Sequence, residues 1–289
     1  MIEALVQALI NGVIAGTILA VPAIGFSAIF AVLNYPNFTI GSLAAAGAYA
    51  GYLANTQLGW PLALALGAAF AGAAVVGVAH EWAAVRPLQK AGALIMAIAS
   101  LAGGIVIENL LRFAFGNEQR GYELPLARDI VFAEVYRIGP QQMKNFAMAL
   151  CIMAAIWAFL RWTRTGRSMR AVADNRDLAR LRGIDPERVA VVTVAVGAGL
   201  AGFGGMLIGL DTTLEPFMGQ RLLLSIFAAA VLGGLGSIPG AVAGALLIGV
   251  VEEVSVLFIN PAYKSAVAFA AILLVLTFRP AGLFGTRQG

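Results

Sequence analysis

Apolar stretches of about the length that crosses a bilayer, roughly 20 residues, recur along this whole chain, and no soluble architecture needs so many. They read at 5–33, 38–57, 60–79, 92–114, 144–162, 189–211, 222–236, 240–258 and 262–279. Composition agrees: 60% of the 289 residues are apolar and 12% charged, against about 45–50% and 25% in soluble domains. The pattern predicts an all-α, polytopic integral membrane protein, a single transmembrane domain over 1–289. It has about eight transmembrane helices and some broken or re-entrant segments. Pro22 in the long first stretch predicts a tilt or kink. Segment 222–236 is short for a crossing and reads as a steep helix or one arm of a broken pair. The opening Met1-Ile2-Glu3 lacks Lys and Arg, which argues against a cleaved signal peptide.

Charge gives the chain a direction. The formal charge of +4 does not point to nucleic acid, because the excess sits in one loop between spans. Segment 163–188 carries seven Arg against Asp174, Asp177, Asp185 and Glu187, so the positive-inside rule places it in the cytoplasm. Segment 116–140 is nearly neutral, with Arg120, Arg128 and Arg137 against Glu118, Glu123, Asp129 and Glu134; one crossing away, it faces outside. Arg86 and Lys90 then fall on the cytoplasmic side, and Arg279 and Arg287 favour a cytoplasmic C-terminus. The N-terminus carries no such marker, and its side stays open. Trp60, Trp82, Trp157 and Trp162 read as interface markers. Cys151 stands alone in an apolar stretch and reads as a small buried hydrophobe; with His80 the one histidine, a metal site is not expected.

The Arg-rich loop has its own architecture. Ser168 can open a short helix through Ala173. Asp174 or Asn175 offers the next N-cap, with Asp177 in the first turn. The run Leu178–Arg182 is strongly helical and stops at Gly183, a good left-handed terminator. Asp185-Pro186 supplies the cap and first-turn proline of the following span. The loop therefore reads as two short helices outside the membrane, and small faces at Ala171, Ala173 and Ala179 suit docking into a groove on another protein. Two other readings explain the arginines equally: a topology anchor, and an amphipathic helix on anionic lipid.

Glycines at four-residue spacing (Gly12/Gly16, Gly47/Gly51, Gly205/Gly209, Gly236/Gly240/Gly244) put small residues on one helix face, where helices can approach closely in lipid. Gly197-Ala198-Gly199-Leu200-Ala201-Gly202 matches the dinucleotide fingerprint. No βαβ unit surrounds it, and apolar character runs on to Leu210, so it reads as part of a span.

Several strings together resemble a known family. Gly166-Arg167-Ser168-Met169-Arg170-Ala171-Val172-Ala173-Asp174-Asn175, continuing to Leu181-Arg182-Gly183-Ile184, is similar to the cytoplasmic coupling loop of ABC-importer permeases, specifically the branched-chain amino acid permease family. Ala229–Gly240, Arg86-Pro87-Leu88 and Arg279–Gly285 extend the resemblance in consistent order over nearly the whole chain. The resemblance implies a subunit of the bacterial inner membrane. Its implied partners are a second homologous permease, two cytoplasmic ATPases and a periplasmic solute-binding protein. ATP and Mg would sit on the ATPases; this chain has no G-x-x-x-x-G-K-[ST] loop and needs no cofactor. Coupling to the ATPases would run through Arg167, Arg170, Ala171, Asp174, Asn175, Leu178, Ala179 and Gly183. The implied solute is a branched-chain or related small amino acid, amide or carboxylate.

Transporter pathways use Gly- or Pro-interrupted helices, and two segments fit. One holds Asn34, Asn37, Thr39, Gly41 and Ser42; the other holds Gly234, Gly236 and Ser237. Two polar turns at the membrane surface are the competing reading. The family usually has Asn-Phe-Ala-His-Gly-Glu where this chain has Asn37-Phe38-Thr39-Ile40-Gly41-Ser42, which opens the way to a less polar solute. Glu108, one turn before Arg112, can pair with it. Glu252 and Glu253 cannot lie cheaply in a span; they face a wet path, pair with Lys264 or Arg221, or sit near the surface. A gating or structural role is expected of all three. A stand-alone carrier or channel is the alternative function. A membrane-embedded enzyme would need a nucleophile–base pair or metal cluster that the sequence does not offer.

Overall fold

The computed structural model describes residues 2–122, 130–132, 136–279 and 282–284. Glu123, Arg128, Asp129 and Glu134 of the outer segment lie outside the described residues, as do Pro280, Ala281, Gly285 and Arg287 near the C-terminus. The chain is mostly helical: α1 (Ile2–Leu33), α2 (Ile40–Tyr52), α3 (Leu62–His80), α4 (Ala93–Phe115), α5 (Pro140–Trp162), α6 (Arg164–Asp174), α7 (Arg176–Leu181), α8 (Pro186–Asp211), α9 (Met218–Gly233), α10 (Ile238–Ser255) and α11 (Lys264–Phe278). A small antiparallel hairpin pairs β1 (Ile130–Phe132) with β2 (Tyr136–Ile138) between α4 and α5. Every predicted apolar stretch carries one helix.

Among the described residues, six helices are long and apolar enough to cross a membrane: α1, α3 with its continuation to Ala91, α4, α5, α8 and α10. α9 and α11 are apolar but shorter. The expectation of about eight spans therefore resolves into six long helices and two short ones, plus α2, which a π-helical turn (Leu53–Gln57) carries to the end of the stretch that the sequence reads at 38–57. α1 keeps Pro22 inside one continuous 32-residue helix. Gly204 of α8 gives the ring its room, since a methyl there would press on Pro22 Cδ.

α1 and α8 form the centre of the bundle and are largely buried. They run antiparallel: Pro22 faces Gly204 and Gly25 faces Gly197. α10 runs antiparallel to α1 on the other side, with Gly16 against Ala245 and Gly12 against Val250. α3 runs antiparallel to α8, with Ala73 beside Gly202 and Gly77 beside Ala198. These contacts are backbone-close because the facing residues have little or no side chain. In lipid that closeness supplies van der Waals packing, which replaces the water-driven association of soluble helices. The fingerprint-like glycines are thus occupied by packing: Gly197 meets α1, Gly199 meets the Phe70 ring and Gly202 meets α2 and α3. No phosphate cradle exists there.

Antiparallel packing sorts the chain into two ends. Gln7 near the start of α1 exchanges two hydrogen bonds with Arg137 of β2 (Nε2 to the carbonyl, 2.9 Å; amide to Oε1, 3.0 Å). The N-terminal region, whose side the sequence leaves open, thus lies at the hairpin end. Arg120 and Leu214 form an isolated bridge at the same end, and the buried Tyr122 hydroxyl donates to the Ala48 carbonyl at 2.8 Å. Leu283 and Phe284 donate their amides to the Leu232 and Gly233 carbonyls, 2.9 and 3.0 Å, at the opposite, Arg-rich end. They satisfy carbonyls that the end of α9 leaves open.

α5 stands partly apart from α3, and the groove between them, about 720 Å³, is lined by Leu66, Phe70, Met148 and Cys151. Cys151 is exposed, which corrects its reading as a buried hydrophobe. An apolar residue in a span is sheltered by lipid as well as by protein, and sequence does not distinguish the two.

Glycine contacts at α8 yield a paired prediction. A side chain at Gly205 meets the Ala44 backbone of α2, whereas Gly67 of α3 has open space. Gly205→Val should destabilise by about 1–3 kcal/mol or more through overpacking. Gly67→Ala should be neutral or stabilise by about 0.4–1 kcal/mol. Thermal unfolding of the detergent-solubilised chain, followed by size-exclusion fluorescence, reads both.

Candidate functional site

The Arg-rich loop folds into two short helices, α6 and α7. Thr163 caps α6, its hydroxyl accepting from the Gly166 amide at 3.0 Å. This moves the helix start upstream of Ser168, whose hydroxyl instead donates to the Arg164 carbonyl inside the helix. Thr163 was unread as a cap because it directly follows the apolar run. Of the two candidates for the second cap, Asn175 serves: its Oδ1 accepts from the Leu178 amide at 2.9 Å. Gly183 terminates the turn after α7 at φ 79°, and Asp185 caps α8 by accepting from the Glu187 and Arg188 amides.

The faces of this pair are distributed differently from the sequence expectation. Met169, Val172 and Ala179 are buried, and Ala171 packs against the same core with α5 and α8. Ala171 and Ala179 therefore dock the pair onto its own bundle, which corrects their reading as faces offered to another protein. Small residues fit because α6 lies against α5 with Gly166 pressed on the Phe159 and Leu160 backbone. What faces outward is Arg167, Arg170, Ala173, Asp174 and Asn175, with Leu178 54% and Leu181 84% exposed. Arg86 reaches Glu187 at 2.6 Å and ties the turn after α3 to the start of α8.

A cavity of about 680 Å³ opens at this end, lined by Asn34, Asp174, Asn175, Gly236, Ser237 and Phe284 among others. The structure thus brings one member of the first break, Asn34, together with the second break and with the helix pair. Asn34 ends α1 in the left-handed region, φ 58°. The second break is the tight turn between α9 and α10. Gly234 and Gly236 hold φ of 105° and 83°, Ser237 caps α10 by accepting from the Gly240 amide at 3.1 Å, and Gly233 lies directly on Gly240.

The remainder of the first break turns back into the bundle. Asn37, Thr39 and Ser42 are buried, and Gly41 lies on the Gly219 backbone of α9. Tyr35 donates to Glu81 Oε2 at 2.7 Å, and Asn37 Nδ2 donates to the Tyr35 oxygen at 3.2 Å. Thr39 gives its hydroxyl proton to the Ser100 carbonyl at 2.7 Å. Its 2.9 Å contact with His80 Nε2 then requires the histidine to donate. Phe38 donates its amide to Ser100 Oγ at 2.9 Å. This network explains how the chain can enter α2 through a non-helical stretch: such backbone inside a membrane needs protein partners for its polar groups, and the end of α3 and α4 supply them. Sequence reasoning passed over Tyr35, Glu81 and Ser100. The available signal was Glu81 itself, a carboxylate directly continuing an apolar span.

Glu108 is 3% exposed, and Arg112 does not pair with it. The guanidinium donates to Asn117 Oδ1 at 2.9 Å and lies 4.5 Å from the Phe217 ring centre. Glu108 faces inward, while the longer side chain reaches past the helix end. Glu253 pairs with Lys264, Glu252 accepts from the Ser225 hydroxyl at 2.7 Å, and Arg221 pairs with Glu215. All of these lie at the hairpin end. Among the described residues no group of three His, Cys, Asp or Glu could hold a metal ion.

The buried break makes a prediction about its lock. Tyr35→Phe removes the donor to a buried carboxylate and should cost about 1–3 kcal/mol. Glu81→Gln keeps an accepting oxygen and should cost less. Thermal unfolding in detergent reads the order of the two.

Comparison with known proteins follows this geometry. The sequence profile of the family "Branched-chain amino acid transport system / permease component" matches residues 8–276. The chain is 32% identical to the high-affinity branched-chain amino acid transport system permease protein LivH of Escherichia coli K12, over 96% of this chain and 95% of that one. The corresponding BraD of Pseudomonas aeruginosa gives the same identity and coverage. A probable LivH of Methanocaldococcus jannaschii is 26% identical over 95% and 91%. Among solved structures, PsaBC from Streptococcus pneumoniae in complex with Fab covers 98% of each chain at TM-score 0.53 and 14% identity, a likeness of fold alone. Matched along nearly its whole length, the chain belongs to the family of permease components of branched-chain amino acid transport systems.

Proposed function

We propose that this chain is the membrane-spanning permease subunit of an ABC importer in the bacterial inner membrane. It moves a branched-chain or related small amino acid, amide or carboxylate by alternating access. Two cytoplasmic ATPases bind ATP and Mg, a second homologous permease completes the path, and a periplasmic protein delivers the solute. The observation that carries the reading is the capped helix pair α6–α7. It is seated firmly on α5 and α8 by Met169, Val172 and Ala179, yet projects Leu178 and Leu181 outward between arginines. An element that only anchored topology would gain nothing from two exposed leucines on a rigid helix. Seated this way, the pair can pass a push from an ATPase to α8 and, through α8, to α1, α2 and α3.

Gln7 and Leu283 lie at opposite ends, so the path between them crosses an odd number of times. Nine crossings satisfy this, with residues 34–57 making one of them as the first break, α2 and the π-helical turn Leu53–Gln57 that continues it. The Arg-rich end is the cytoplasmic one. The cavity holding Asn34, Gly236 and Ser237 then lies beside the coupling pair, where its shape would follow the ATPase cycle.

Leu178→Ser with Leu181→Ser should leave expression and unfolding temperature unchanged, because both side chains are exposed. It should lose the co-purified ATPase and reduce ATP-driven uptake at least tenfold. A chain that transports alone in liposomes, without ATP or an ATPase, would instead establish a stand-alone carrier and contradict the proposal.

A further inference from the structure

Trp157 and Trp162 stand at the Arg-rich end of α5, 53% and 70% exposed. Their rings meet edge to face at 5.6 Å, and the Arg161 guanidinium lies 5.2 Å from the Trp157 ring centre. On a span, such exposed rings face lipid, and helix length sets their depth. The 23 residues of α5 extend about 34 Å at 1.5 Å per residue, against a hydrocarbon core of about 30 Å. The last turn and a half therefore lies where acyl chains give way to headgroups, the level at which indole rings settle.

The same face continues toward the middle of the membrane without a polar group. Leu150, Ala154, Trp157 and Arg161 follow one another at four- and three-residue spacing, which puts them on one stripe of the helix, and all four are exposed. From Leu150 to Arg161 the stripe runs about 16 Å, close to the depth of one leaflet. At its polar end, charge of one sign accumulates. From Trp157 to Ala173 the chain holds Arg161, Arg164, Arg167 and Arg170 and no carboxylate. None of these arginines is in an ion pair among the described residues. Arg161 and Arg164 flank Trp162 and the Thr163 cap of α6, and both are exposed.

An aliphatic stripe one leaflet deep, two rings at headgroup level and guanidiniums beside them match the three parts of one molecule. We propose that this corner of α5 and α6 binds an anionic phospholipid of the cytoplasmic leaflet. Its phosphate takes Arg161 and Arg164, whose planar guanidiniums suit phosphate oxygens. The glycerol region lies against Trp157 and Trp162, and an acyl chain follows Ala154 and Leu150. The net negative charge matters, because a zwitterionic lipid brings its own cation to a site already rich in them. The lipid adjoins the seat of the coupling pair. Thr163 donates its hydroxyl to the Phe159 carbonyl at 2.7 Å, and Gly166 rests on the Phe159 and Leu160 backbone. Naming the leaflet rests on the importer topology; binding itself does not, because it needs no ATPase.

Native mass spectrometry of the delipidated full chain, titrated in detergent with phosphatidylglycerol or with phosphatidylcholine of the same acyl chains, tests the site. The expected result is a first phosphatidylglycerol bound about fivefold or more tighter than phosphatidylcholine. Arg161→Gln with Arg164→Gln should abolish that preference and keep the unfolding temperature, because both side chains are exposed. Arg180→Gln with Arg182→Gln removes the same charge from the far end of the helix pair and should keep the preference. Equal binding of the two lipids by the unsubstituted chain would overturn the site without any variant. Equal loss in both double variants would also overturn it, by reducing the preference to net charge. A preference kept at positions 161 and 164 while a co-purified ATPase is lost would give these arginines to the ATPase contact and end the lipid assignment. On the unsubstituted chain, retained ATPase with no lipid preference sinks this site alone. Lipid preference without any co-purified ATPase sinks the importer reading alone.

Discussion

Close backbone contact along α8 is the constraint on which the rest of the structure depends. Water cannot drive helices together inside a bilayer, so association rests on packing and hydrogen bonding. α8 offers glycine toward three neighbours at once: Gly197 toward α1, Gly202 toward α2 and α3, and Gly205 toward Ala44 of α2. Because α1 is held antiparallel to α8, its end at Asn34 is carried to the face where α6 and α7 sit. Its beginning is carried to the hairpin. The functional polarity of the molecule is therefore a consequence of where side chains are missing.

That scaffold sorts polar groups into three places with different physics. At the Arg-rich end, charges are exposed. At the hairpin end, carboxylates and cations surround a small cavity with an aliphatic wall. Between the two, the polar groups of the first break at Tyr35, Asn37 and Thr39 are buried and are paired with one another and with Glu81, His80 and Ser100. α1, α2 and α8 connect all three, so a displacement of the helix pair has a continuous packed route toward the opposite mouth.

Much of this was legible in the sequence because it depends on local rules. Helix positions followed from apolar length, and Asn175, Gly183 and Asp185 cap or stop helices as their chemistry dictates. Assignments that depend on which way a side chain faces were not legible. Ala179 turned inward, Cys151 turned outward and Arg112 bonds Asn117 rather than Glu108, since helical spacing fixes neighbours on one helix but not the neighbours of that helix. The α2 break was legible as an interruption, but its depth was set by partners 46 and 61 residues away, Glu81 and Ser100. The start of α1 had no charge signal at all, and the Gln7–Arg137 contact places it at the hairpin end of the bundle.

The central claim is that the hairpin and the Arg-rich helix pair lie on opposite faces of one membrane, with the helix pair inside. In a Cys151→Ala background, Arg137→Cys and Arg180→Cys can each be exposed to a membrane-impermeant maleimide in intact cells. Labelling at position 137 in intact cells, and at position 180 only after permeabilisation, is the predicted result. Labelling at position 180 in intact cells would contradict it.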